Sequence, residues 1–413
     1  NKITIFYRMF CFLNYLMEVF IMEVMIETCC GIDVHQKTIV CCVLDGPLDT
    51  NKPKKSYKIF GTRTSELRKA LEWLVENEVT DIFMESTGQY WVPVFNIFSE
   101  GNFNMVLANP EHIKNVPGRK TDMKDAEWIA QLGRVGLIQN SYIPEPEVME
   151  LRLMTRRRLS YTQKRTQSKN ELHNILQRSN IKLTSYLSNI FGKTGQALLQ
   201  LFITGEVLTL ESVEACLHGR VRASTKDIFQ AMDGKISLTD RRLLDDSLDE
   251  YQFYTRKIKK IEHDIEQYIL SHFPLEYELL QSIPGVKQHS AAIILAEIGP
   301  SIEAFRTASH LASWAGLSPG SYESAGKKKS SRVTRGNKYL KTALITSGGM
   351  AGRSRDPAFK LLYHRVSNRG TKMKAVVACG HKLLRIIYKI LGDKVQYDEK
   401  RALGLRQQKL ALN

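Results

Sequence analysis

Between Glu27 and Gln139 the apolar residues of this chain switch repeatedly between a two-residue and a three-to-four-residue period. Few architectures accommodate that alternation. Cys29–His35 and Thr38–Leu44 are short β-rich runs meeting at a Gln36-Lys37 turn, and Ser56–Phe60 reads as a third strand. Thr64 and Ser65 offer N-caps to a helix that spaces Leu67, Leu71, Leu74 and Val75 along one side. Asp81–Met84 is a compact apolar strand, Trp91–Phe98 a second helix, and Asn104–Leu107 a fifth strand ending at Asn109-Pro110. Three hairpin strands followed by strands alternating with helices predict an α/β domain with a mixed sheet.

Beyond Glu147 the pattern becomes helical and polar. Leu151, Met154, Tyr161, Leu172, Ile175 and Leu176 form a loose stripe between Arg152, Arg156, Arg157, Arg158, Lys164, Arg165 and Lys169. Leu248, Tyr251, Ile258, Ile261, Ile265 and Ile269 recur at three- and four-residue steps, which suits a coiled-coil-like hairpin or dimerisation arm, and equally one helix of a local bundle. Ile283-Pro284-Gly285-Val286 then predicts a tight helix-hairpin-helix-like turn whose backbone N–H groups could hold a phosphate. The expected organisation is an extension over 1–24, the α/β domain over 25–145, a helical arm over 146–275, a mostly helical basic domain over 276–395 and a tail over 396–413.

Charge separates these segments. From Gly326 to Asn413 there are 22 Lys and Arg against 4 Asp and Glu, whereas the preceding 325 residues carry 37 against 39. A near-neutral body with a basic end calls for a polyanionic partner, most simply nucleic acid. Lys327, Lys328, Lys329, Arg332, Arg335, Lys338, Lys341 and Arg353 are the candidate phosphate contacts. Tyr322, Tyr339, Phe359, Tyr363 and Tyr388 lie among them, where stacking on bases competes with plain core packing. An anionic membrane surface is the weaker alternative, because no long amphipathic helix with aromatic anchors is evident there.

An apolar share of 43% and a charged share of 25% exclude wholesale disorder, a multi-span membrane protein and a collagen-like fibre. Ile3–Ile26 is rich in Phe, Met, Ile and Leu, but Arg8, Glu18 and Glu23 interrupt it, leaving no clean span. It reads better as translated sequence ahead of a start at Met22 or Met25 than as an anchor. The seven cysteines show no Cys-x-x-Cys spacing, which argues against a disulfide framework or zinc ribbon and fits a reducing cytoplasm. Cys29-Cys30 and Cys41-Cys42 are expected as buried strand residues.

Four carboxylates stand where a metal site would want them. Asp33 lies in the first strand, Glu85 ends the fourth, and Asp122 and Asp125, three apart, open a helix. Such oxygens around one point repel one another unless divalent cations intervene. Two Mg²⁺ ions roughly 3.5–4 Å apart can activate an attacking oxygen and stabilise a leaving one in phosphodiester chemistry. Taken singly, each of these residues has a plainer reading as a turn, cap or surface carboxylate. His35 beside Asp33 reads as an ordinary strand histidine.

Gly31-Ile32-Asp33-Val34-His35-Gln36-Lys37, Glu85-Ser86-Thr87-Gly88 and Asp122-Met123-Lys124-Asp125-Ala126 resemble the DEDD motif of an RNase H-like (RuvC-like) domain. More specifically, the chain resembles transposases of the insertion-sequence one-hundred-ten family, described as RNA-guided bridge recombinases. At the back, Ile283-Pro284-Gly285-Val286, Trp314-Ala315-Gly316-Leu317-Ser318-Pro319, Ser324-Ala325-Gly326-Lys327 and Arg335-Gly336-Asn337-Lys338-Tyr339-Leu340 resemble that family's C-terminal transposase domain. The likeness runs from Met25 to about Leu391. It implies that Asp33, Glu85, Asp122 and Asp125 hold Mg²⁺ and that a serine of the basic domain is the nucleophile. Ser324 occupies that place, with Ser321 as the alternative; family members usually read Ser-Gly where this chain has Ser324-Ala325-Gly326. It further implies double-stranded DNA (element ends and target) and a guide RNA as partners. A homodimer or homotetramer working in a bacterial or archaeal cytoplasm, at the nucleoid, is expected. The runner-up is a Holliday-junction-type or RNase H-like endonuclease using water, and a third class is a non-catalytic nucleic-acid-binding protein.

Overall fold

The computed structural model describes residues 24–404 apart from 50–51, 87, 111–112, 114–124, 139, 220, 321, 325–326 and 331–332. Residues 322–324 and 327–330 are described by backbone alone. The expected extension over 1–24 therefore lies almost wholly outside the described residues. The chain divides into two compact units, 1–143 and 144–413.

The first unit is α/β. Strands β1 (Thr28–Val34), β2 (Thr38–Asp45) and β3 (Lys54–Gly61) form antiparallel pairs. Helix α1 (Thr64–Glu76) leads to β4 (Asp81–Glu85), α2 (Trp91–Phe98) to β5 (Asn104–Ala108), and α3 (Asp125–Arg134) follows. The sheet order is β3-β2-β1-β4-β5, with β4 parallel to β1 and β5 parallel to β4. This order is compatible with an RNase H-like domain. Alternate residues of each strand serve two cores. Cys30, Ile32, Ile82 and Met84 pack with Leu67 and Leu74 of α1 and Phe98 of α2. Cys29, Cys42, Phe83 and Val106 pack on the other face with Ala126, Ile129 and Ala130 of α3. All four paired cysteines are buried as thiols, in agreement with the expectation. The N-cap of α1 is Arg63, with no side-chain cap, so Thr64 and Ser65 are the first helical residues rather than the cap. Backbone N–H groups of Glu66 and Leu67 donate to Arg63 O, at 2.9 Å each, and close the first turn instead.

The second unit is helical. Its frame is an antiparallel pair, α4 (Pro146–Arg178) and the longer helix over Leu238–His272. Ser168 Oγ donates to Glu250 Oε2 (2.8 Å), Arg158 Nε to Glu262 Oε1 (2.7 Å) and Tyr268 OH to Glu147 O (3.2 Å), tying the two along their length. Between them come α5 (Leu183–Tyr186), α6 (Lys193–Thr204), α7 (Leu210–Ala215) and α8 (Thr225–Ala231), so the longer partner is α9. These short helices close the far end over Leu172, Ile175, Leu176, Leu198, Phe202, Leu244 and Leu248.

The chain continues through α10 (Pro274–Gln281), α11 (Gln288–Ile298) and α12 (Ala308–Trp314) to a hairpin of β6 (Tyr322–Ser324) and β7 (Lys327–Ser330). Helices α13 (Lys338–Gly352), α14 (Pro357–Ser367), α15 (Lys372–Asp393) and α16 (Glu399–Gly404) complete it. The Pro-Gly turn between α10 and α11 is present; Gly285 has φ +84° and faces α13 so closely that a Cβ would lie 2.4 Å from Ser347 O. The basic segment does contain a long amphipathic helix, α15, which the sequence did not reveal. Its apolar face is spent on the core, with Cys379, Leu383, Leu384, Ile387 and Leu391 all buried. Among the described residues, no helix is long and apolar enough to cross a membrane.

Candidate active site

The parallel register of β1 and β4 pairs Gly31 with Phe83 and Ile32 with Met84. Asp33 and Glu85 are the next residues along, at the carboxyl ends of adjacent parallel strands. Because side chains alternate, both share the parity of Phe83 and face the layer made by α3. Gly31 sets the height of that layer. A Cβ there would lie 2.1 Å from Ala126 O and 2.4 Å from Ala130 N, so only glycine lets the α3 backbone lie against β1. Asp125, the first residue of α3, is thereby brought to the same end of the sheet.

Electrostatics register this convergence. The Asp33 carboxyl is pushed above its ordinary value by burial and further by the negative charges of Asp125 and Glu85. The imidazole of His35 opposes the shift, its Nε2 lying 3.0 Å from Asp33 Oδ2. Sequence reasoning set His35 aside; its position two residues after Asp33 across the strand end was the available signal. Asp122 lies outside the described residues. Among the described residues no group of three or more His, Cys, Asp or Glu side chains is gathered closely enough to hold a metal ion. The donor chemistry nevertheless fits a hard divalent cation: Asp33 with the nearby negative charges of Asp125 and Glu85, and no thiolate among the described residues at the site.

Glu127, one turn into α3 and 6% exposed, belongs to a different set. Its carboxylate accepts from Lys55 and Tyr57 of β3 and from Gln131 Nε2 at 3.1 Å, fixing α3 across the sheet.

Ser324 lies in the second unit, where its backbone pairs with Lys327 next to the turn of the β6–β7 hairpin. A bridge between Pro319 and Val333 closes the base. Ser321 and Arg332 lie outside the described residues, and Lys327, Lys328 and Lys329 lie in β7. Lys341 Nζ donates to Thr334 O (3.0 Å), Lys338 Nζ sits 5.1 Å from the Tyr339 ring centroid, and Arg353 Nε donates to Gly349 O (2.9 Å). Arg335 lies two residues before the α13 cap, Asn337. Most of the described aromatics are packing groups: Phe359 is fully buried, Tyr388 OH donates to Phe305 O, and Tyr339 lies under the Arg156 guanidinium.

One cluster here escaped sequence reasoning. Glu297, fully buried near the end of α11, accepts from Arg156 through two bonds of 2.9 Å and from Asn337 Nδ2 at 2.7 Å. Arg152 donates to the backbone oxygens of Ala296 (2.9 Å) and Glu297 (3.0 Å). Asn337 Oδ1 meanwhile accepts from Tyr339 N (3.0 Å) and Leu340 N (3.1 Å), capping α13. One carboxylate thus joins the start of α4, the end of α11 and the segment leaving the serine hairpin. Partners about 140 residues apart leave no local trace.

A family model described as "Transposase", for DEDD proteins of the IS110 kind, matches residues 30–181. A second, described as "Transposase IS116/IS110/IS902 family", matches residues 277–364. The chain is 32% identical over 157 residues to the pilin gene-inverting protein of Moraxella lacunata, covering 37% of this chain and 48% of that one. It is also 32% identical over 139 residues to the 43.6 kDa protein of insertion element IS110 from Streptomyces coelicolor, covering 33% of this chain and 34% of that one. The chain spans about half the length of the Moraxella relatives it matches.

Proposed function

The chain belongs to the IS110 family of transposases, and from that premise we propose that it is a DNA recombinase that cuts and rejoins strands to move or invert a DNA segment. The observation that carries this reading is the convergence of Asp33, Glu85 and Asp125 on one sheet face, where each carboxylate raises the cost of ionising Asp33. Asp122 completes the proposed set. Mg²⁺, when bound, would neutralise charge that develops on the scissile phosphate.

The protein's own groups have separate tasks. The four carboxylates would hold the cations, and His35 steers the Asp33 carboxylate through its 3.0 Å contact. The Ser324 hydroxyl attacks phosphorus and gives its proton to solvent, the P–O bond to one DNA strand breaks, and the departing oxygen takes up a proton from solvent to leave as a free hydroxyl. The resulting phosphodiester between serine and DNA conserves the bond energy for rejoining. Lys327, Lys328, Lys329, Arg332, Arg335, Lys338, Lys341 and Arg353 supply phosphate contacts, giving affinity that falls with salt. Target choice is delegated to a guide RNA, and the α4–α9 pair serves as a coiled-coil arm within a dimer or tetramer. The working domains are 25–145, 146–275 and 276–395, and the setting is the bacterial or archaeal nucleoid.

The test is a strand-exchange reaction with element-end and target DNA, the flanking RNA and Mg²⁺. The wild-type chain yields recombinants and a covalent protein–DNA adduct mapping to Ser324. Ser324→Ala yields neither while still binding DNA, and Asp33→Asn is inert. Nicked product alone from the wild-type chain, with no adduct, overturns the recombinase reading in favour of a water-using endonuclease. An adduct on Ser321 moves the nucleophile by three residues.

A further inference from the structure

Beside the base of the β6–β7 hairpin, α14, α15 and α16 frame an open groove of about 900 Å³. Its floor is apolar, and Leu361 and Met373 are 59% and 65% exposed. Its rim carries the exposed cations Arg365, Lys374 and Arg385, and among the described residues no carboxylate lines it. Large apolar side chains inside a basic frame match an occupant of the opposite make-up, apolar residues flanked by carboxylates. A nucleic-acid backbone would satisfy the rim and leave the floor unmatched. The chain's own last residues include Arg406 and Lys409, which carry the same sign as the rim.

At the far end of the helical unit, the stretch Glu206–Leu217 has the complementary composition, with Arg241 beside Gly205 just ahead of it. Val207 is 83% and Leu210 45% exposed, and exposed Glu206, Glu211 and Glu214 surround them. No Lys or Arg occurs from Glu206 to Leu217. Val213 and Leu208 of this tip share a core cluster with Leu172, about 30 Å of unbroken helix beyond Arg152, which grips α11; no residue of the tip lines the groove.

We propose that the groove receives the Glu206–Glu214 tip of a second copy of this chain. Exchange of tips across a twofold axis closes the contact in both directions, giving a dimer rather than a filament. The proposal goes beyond the recombinase reading and requires neither Ser324 nor the carboxylates.

Charge swapping on the full-length chain tests it, read by sedimentation velocity. Glu211→Lys with Glu214→Lys, and separately Lys374→Glu with Arg385→Glu, should each weaken self-association by about tenfold or more. All four together should restore it, because the complementarity is reversed rather than removed. These positions are exposed, so folding should survive, and circular dichroism checks that. A monomeric wild-type chain at tens of micromolar, single sets without effect, or a combined variant no better than the single sets overturns the proposal. Groove substitutions that spare self-association but weaken binding to a DNA duplex assign the groove to nucleic acid instead.

Discussion

In the α/β unit, Asp33, Glu85 and Asp125 owe their positions to backbone. Strand register aligns the first two, and a missing Cβ at Gly31 lets α3 deliver the third. In the helical unit the segment around the serine hairpin is held instead by side chains, with Arg152, Arg156 and Asn337 gathered on the buried Glu297. A site fixed by register tolerates changes in surrounding side chains but not in the few backbone contacts. A site fixed by an ionic cluster has the opposite weakness, because losing a partner leaves the fully buried Glu297 charge under-compensated.

The largest expected effect falls on that cluster. Glu297→Ala leaves the Arg156 guanidinium and the Asn337 amide without their shared acceptor and Arg152 without its ion-pair partner, and should cost about 3–5 kcal/mol in urea unfolding. A midpoint unchanged from wild type would erase the contrast between the two units. Next, Gly31→Ala forces α3 off β1 and should cost about 1–3 kcal/mol. Because it displaces Asp125, DNA cleavage should fall about 100-fold even where the variant is folded. Cleavage at wild-type level would show that α3's closeness is unimportant. Asn337→Ala removes the α13 cap and one Glu297 contact, a loss of about 1–2 kcal/mol, and Asn337→Asp should recover the cap but not the contact.

The smallest effect has the opposite sign. Asp33 is harder to ionise in the folded chain than in the unfolded one. Metal-free wild-type protein should therefore lose stability as pH rises from below the ordinary carboxylate value through the raised one. Asp33→Asn removes that loss, so its melting temperature at neutral pH should exceed wild type by roughly 1–2 °C. The two should converge at acidic pH, and added Mg²⁺ should stabilise only wild type. A variant less stable than wild type at neutral pH without metal would mean that the carboxylates attract rather than repel their surroundings.

Legibility followed the same division. The strands, α1 and α2 were readable to within one or two residues, because a two- or four-residue period is written locally and Asp33 and Glu85 sit at strand ends. The α1 cap was misread because Arg63 closes the turn with its carbonyl alone, without the side-chain signal carried by Thr64 and Ser65. In α4, Arg152 and Arg156 looked like solvated charges beside an apolar stripe, yet their partner lies in α11. Helix α15 hid because Gly380 and the β-branched Val376, Val377, Ile386, Ile387 and Ile390 weaken its local helical signal. Gly31 carried its signal in plain view, but a glycine ahead of Ile32-Asp33 does not announce which backbone it admits.

The α4–α9 pair is also a lever. With 33 residues, α4 is about 50 Å long; its Arg152 and Arg156 foot is clamped to α11, and its far end is joined to α9 and the cluster of short helices. A tilt of about 5° at the clamp moves the end of α4, roughly 35 Å further along, by about 3 Å, given the same helical rise. Small rearrangements around Glu297 would thus be magnified into displacements about as long as a hydrogen bond. A force acting on the far end would return to the clamp as torque on the residues just after the serine hairpin.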